Sequence, residues 1–84
     1  MEKLTSIEIA EMLVFTSEVF AKKKTTTQFF ERWPDISKDE NTDVRELWFC
    51  MSYYESDKGT PASADFYQLA ALRHAERLKT AIQK

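Results

Sequence analysis

The stretch Ile7 to Ala21, IEIAEMLVFTSEVFA, constrains the fold more than any other part of the chain. On a helix, with about 100° between residues, Ile7, Ile9, Ala10, Met12, Leu13, Val14, Val19, Phe20 and Ala21 span roughly two-thirds of the circle. Only the small polar Thr16 and Ser17 fall inside that arc. The remaining sector holds Glu8, Glu11, Glu18 and Lys22, and among them Phe15, for which an isolated surface helix has no use. An arc that wide belongs to a helix packed between several elements or shared with a second chain. Thr5 stands three residues before Glu8, the spacing of a capping box. The acids early in the stretch and Lys22, Lys23 and Lys24 after it suit the helix dipole.

A chain of 84 residues is expected to form one domain over 1–84, and 43% hydrophobic with 13% aromatic residues is enough for a modest core. One glycine and two prolines cannot supply the tight turns of a small all-β fold. The expected class is therefore all-α: a small bundle of three main helices plus one short helix. A net charge of -2 gives no broad attraction to nucleic acid or acidic membranes, and no strongly acidic surface of the kind a DNA mimic needs. Cys50 is the only cysteine, so no intramolecular disulfide can form. Glu8, Glu11 and Glu18 interrupt the apolar run that a secretory signal or membrane span requires, which makes a cytoplasmic protein the expectation.

After the first helix, the β-branched threonines of KKKTTTQFFERWPDIS predict a break near Lys24 to Thr26. A short second helix over Thr27 to Trp33 follows, ended by Pro34. Phe29, Phe30 and Trp33 share one side of it. They either plug the open end of the core or anchor a partner. The segment DISKDENTD offers two overlapping capping boxes, Ser37 with Glu40 and Asp43 with Glu46. Its acids Asp35, Asp39, Glu40 and Asp43 lack the central glycine and distal glutamate of an EF-hand loop, so it reads as a solvated connector and not a calcium site.

The third helix, Val44 to about Asp57, places Val44, Leu47, Trp48, Cys50, Met51 and Tyr54 on one arc of about 160°, the expected core face. Phe49 and Tyr53 lie one turn apart on the opposite side. Either the second helix covers this pair or it is exposed as an interface. Cys50 sits in the apolar arc and is read as a packing thiol.

Gly59, Thr60 and Pro61 mark a helix end, an N-cap and a first helical position, so helices three and four are expected to form an antiparallel hairpin. In the last helix Ala64, Tyr67, Ala71, Ala75, Leu78 and Ile82 make a narrow stripe suited to close packing against Trp48, Met51 and Tyr54. Phe66 and Leu69 fall outside it, near Arg73 and Arg77. His74 borders the stripe and has no second ligand at a metal spacing, so it is expected to be hydrogen-bonded or half-exposed. The C-terminal hairpin, ending GTPASADFYQLAALRHAERLKTAIQK, resembles the helical hairpins of small secretion co-chaperones in its amphipathic pattern, over about half the chain, and the resemblance assigns no residue a role.

No residue constellation points to catalysis, a metal or a cofactor, and an 84-residue helical bundle has little room for a cleft. The expected function is a small non-catalytic protein-binding module, an adaptor, inhibitor or chaperone-like protein. Its predicted partner-binding residues are Phe15, Phe49, Tyr53, Phe66, Leu69, Arg73 and Arg77. A homodimer is expected because the first helix has more apolar arc than two short neighbours can cover. The alternative is a helix-turn-helix-like DNA-binding regulator. Against it, the third helix carries Phe49 and Tyr53 where a recognition helix carries arginines and asparagines.

Overall fold

A computed structural model describes residues 3–57 and 61–83. Four helices follow in order: α1 (Ser6–Phe20), α2 (Thr26–Arg32), α3 (Thr42–Asp57) and α4 (Pro61–Ile82). Among the described residues there is no strand, so the fold is an all-α bundle of three main helices and one short one. Gly59 and Thr60, expected to cap α3 and α4, lie outside the described residues. Pro61 does open α4.

α1 starts as its sequence requires. The Thr5 hydroxyl accepts from the Glu8 amide, and the Glu8 carboxylate accepts from the Thr5 amide, which satisfies two orphan donors reciprocally. Its far end uses a device that the composition conceals. Lys22 adopts φ 65°, Lys22 N–H donates to the Val19 carbonyl at 3.1 Å, and Lys23 N–H donates to the Glu18 carbonyl at 2.8 Å. This is a Schellman closure built on lysine where glycine is usual. A second capping box, Thr25 with Gln28, then starts α2. Trp33 ends it at φ -130° and ψ 78°, outside the helical region that Pro34 disfavours in the residue before it.

The connector to α3 differs from the solvated segment expected. Asp39 is 1% exposed and Ile36 joins the core. The Asp39 carboxylate accepts from the amides of Leu4 and Asn41, each at 2.8 Å, so backbone donors replace the water it gives up. Neither predicted capping box starts α3. Asn41 does, its side-chain oxygen accepting from the Asp43 and Val44 amides. Ser37 instead closes a turn on Asp35, and its hydroxyl and amide hydrogen bonds hold the Asp35 carboxyl below the ordinary carboxylate range.

α3 and α4 form the expected antiparallel hairpin. Asp43, near the start of α3, meets His74 and Arg77 late in α4, whereas Tyr53 meets Tyr67 early in α4. Val44, Leu47, Cys50, Met51 and Tyr54 are buried on the predicted core face, with Trp48 half-buried at its edge. Facing them, Ala64, Ala71 and Leu78 are buried in the predicted stripe of α4. Phe29 and Trp33 of α2 are buried as well, so the plug reading of that aromatic group describes the structure. α1 packs on this assembly through the buried Ile9, Met12, Thr16 and Val19, with Leu13, Phe15 and Phe20 partly buried against the same core.

Candidate functional site

The seven residues predicted to bind a partner fall into three sets. Phe15 sits by itself. It is half-buried, with its ring edge-to-face against Trp33 at 5.4 Å and Phe29 at 6.0 Å, and the Lys24 ammonium lies 4.3 Å above it. The aromatic in the charged sector of α1 is thus used inside the molecule, where α2 folds over it.

Tyr53 belongs to a row of rings that crosses the hairpin. It is 49% exposed and packs at 5.1 Å on Tyr67 of α4. Tyr67 in turn meets Phe66 edge-on at 5.2 Å. Phe49, one turn before Tyr53, is half-buried edge-on to Trp48 at 5.3 Å. The ring reaching Tyr53 therefore comes from α4, while Phe30 of α2 reaches only as far as Trp48.

On the outer face of α4, Phe66, Leu69, Arg73 and Arg77 line one shallow hollow together with Ala70 and His74. Helical periodicity brings them there, because positions 66, 69, 73 and 77 advance three or four residues at a time along one side. Phe66 is 65% and Leu69 53% exposed. Arg77 is oriented from below by Asp43, with its Nε 3.1 Å from one carboxylate oxygen. The same oxygen lies 3.0 Å from Nδ1 of His74, so the predicted hydrogen-bonded histidine is what the fold contains. Arg73 is exposed, and among the described residues it has no ion-pair partner. The hollow thus combines two exposed apolar side chains, one tethered guanidinium and one free to reach outward.

Sequence reasoning passed over two features. One is the buried Asp39 network, hidden because acids in a connector are ordinarily solvated. The other is a groove between α1 and α4, walled by Ala10 and Val14 on one side and Leu72 and Ala75 on the other, over a floor of Leu13 and Ile82. Its signal was present in the width of the α1 arc. Ile7 remains 74% and Val14 60% exposed beside it.

The Cys50 thiol lies among core residues, and burial, with a smaller contribution from Glu46, pushes it above the ordinary thiol value. Among the described residues no three His, Cys, Asp or Glu side chains come together as a metal site. None of the described helices is long and apolar enough to cross a membrane. Comparisons with known protein families, with characterised proteins and with solved structures find no match for this chain.

Proposed function

We propose that this chain is a small, cytoplasmic, non-catalytic protein-binding module that works as an adaptor, inhibitor or chaperone-like protein and also associates with itself. The observation that carries the reading is the hollow on α4, where Phe66 and Leu69 stand more than half exposed and Arg73 and Arg77 follow them along the same face. Apolar anchors flanked by guanidinium groups are the composition of an interface hot spot. The kind of partner that fits presents an apolar side chain with a carboxylate beside it. Tyr53 and Tyr67 extend the same surface across the hairpin.

The test is affinity capture from the native host with the wild-type chain and with Phe66→Ser, Leu69→Ser, read by mass spectrometry. Both positions are exposed, so the variant keeps its helical circular dichroism. Proteins held by the wild type should lose about 2 kcal/mol or more of binding, roughly a thirtyfold change in Kd. Retention of the same set by the variant would remove the reading. The DNA-binding alternative draws on Arg73 and Arg77, but Arg77 is turned toward Asp43 and Arg73 shares its hollow with the apolar Phe66 and Leu69. Salt-sensitive retention of duplex DNA, lost on Arg73→Ala, Arg77→Ala, is the result that would put that alternative first.

A further inference from the structure

Along the outer face of α4 the apolar and the basic residues are segregated. Phe66 and Leu69 come first, 65% and 53% exposed, and Arg73 and Arg77 follow one and two turns later. From Phe66 to Arg77 the face runs about 16 Å at roughly 1.5 Å per residue. Ala70 separates the two halves, and its methyl group leaves room for an incoming side chain.

The basic half is short of acceptors. No carboxylate is among the residues lining the hollow. Of the acids on α4, Asp65 lines the hollow beside Val19, and Glu76, which shares a separate hollow with Arg77, makes no ion pair among the described residues. Asp43 reaches in from α3 and holds Arg77 by Nε, 3.1 Å from one carboxylate oxygen and 3.4 Å from the other. Among the described residues the two terminal nitrogens of that guanidinium donate to nothing, and Arg73 has no ion-pair partner. Carboxylates are the groups that complete such a site.

The fold also selects the shape and direction of the occupant. Among the described residues there is no strand, so an extended segment finds no sheet edge for its backbone. A helix arrives with its backbone hydrogen bonds already made. The anchors on α4 recur about once per turn, a spacing that the side chains of a second helix match. A helix lying antiparallel to α4 brings its N-terminal turns to Arg77 and Arg73 and its later turns to Leu69 and Phe66. Acids in those first turns are the ones its own dipole favours. In a parallel arrangement the acids fall in the last turns, where the dipole opposes them.

We propose that the segment bound by this surface is an amphipathic helix with acids in its first two turns and apolar residues in the next two, docked antiparallel along α4. The inference rests on the protein-binding function proposed above and names the class and direction of what binds. An acid in the first turn of the partner meets Arg77, one in the second meets Arg73, and the apolar residues close over Leu69 and Phe66.

The test uses three alanine-based peptides of about 16 residues, long enough to hold some helix in water, read by fluorescence anisotropy against the full chain. The first carries glutamates in its first two turns and leucines in the next two, all on one face. The second carries the same residues in reverse order, and the third has lysines in place of the glutamates. The wild type should bind the first peptide at least about tenfold more tightly than either of the others, with an affinity that falls as salt is raised. Arg73→Glu is at an exposed position and keeps the helical circular dichroism. It should bind the first peptide at least about tenfold more weakly and gain affinity for the third. Equal affinity for the first and second peptides overturns the inference. So does no measurable binding of the first, or an Arg73→Glu chain that binds it as the wild type does. Host-protein capture that depends on Phe66 and Leu69 but not on Arg73 leaves the binding function standing and overturns this partner class.

Discussion

The indole N–H of Trp48 donates to the backbone carbonyl of Trp33 at 2.9 Å. That carbonyl belongs to the residue capping α2 just before Pro34, where the helix has run out of intrahelical donors. A side chain of α3 thus satisfies the end of α2 and fixes how the short helix lies on the hairpin. Phe30 packs edge-on to the same indole at 5.7 Å.

Trp48 therefore serves in two separable ways. Trp48→Phe keeps most of the packing and loses the hydrogen bond, and should lower stability by about 1 to 2 kcal/mol. Trp48→Ala loses both and should cost about 3 kcal/mol, toward the lower end for a large aromatic because the ring is only half-buried. Urea unfolding followed by circular dichroism measures both.

Asp39 should be among the most sensitive polar positions. Asp39→Ala leaves the Leu4 and Asn41 amides without their acceptor in a site sealed from water. A loss of about 3 kcal/mol is expected. Asp39→Asn keeps one acceptor oxygen and should lose about half as much. Equal losses in the two variants would show that the space filled, and not the carboxylate, is what counts there.

The hydroxyl of Thr16 is buried and has no hydrogen-bond partner among the described residues. Thr16→Val replaces it with a methyl group of nearly the same shape and should raise stability by about 1 kcal/mol, with a matching rise in Tm. A fall in Tm on this substitution would mean that the hydroxyl finds a partner in solution.

Lys22 holds a left-handed conformation that any residue with a Cβ adopts at a penalty. Lys22→Gly relieves it and should stabilise the chain by about 0.5 to 1 kcal/mol. The Lys22 ammonium also donates to the Tyr54 hydroxyl at 3.4 Å, a long contact whose loss offsets little of that gain. Thermal melts of Lys22→Gly and Lys22→Ala separate the backbone from the side chain, because only glycine removes the penalty.

The raised Cys50 thiol sets the sign of one pH effect. In the folded chain the thiol holds its proton at pH values where the unfolded chain has released it. Its contribution to stability is complete below the ordinary thiol value and is lost as pH rises through the folded value. Cys50→Ala should therefore flatten the alkaline limb of the stability profile. At neutral pH a thiol reagent should label Cys50 no faster than the chain unfolds.

The sequence by itself determined much of what rests on neighbours along the chain, though not the Asn41 cap of α3 or the Lys22 closure of α1. The Thr5–Glu8 capping box, the stop at Pro34, the core face of α3 and the narrow stripe of α4 all follow from helical spacing, which needs no knowledge of what packs where. Only the tertiary structure decided which of the surplus apolar residues were claimed. Phe15 on α1 and Phe49 on α3 carry equal sequence signals as misplaced aromatics. Phe15 is taken up because α2 folds over it, and Phe49 is half-covered by Trp48. Phe66 and Val14 are left out because α2 is seven residues long and α3 occupies the other flank of α4. Asp39 shows the same limit from the polar side. Whether an acid in a connector meets water or two backbone amides depends on where Leu4 arrives, a contact across 35 residues that no local spacing encodes.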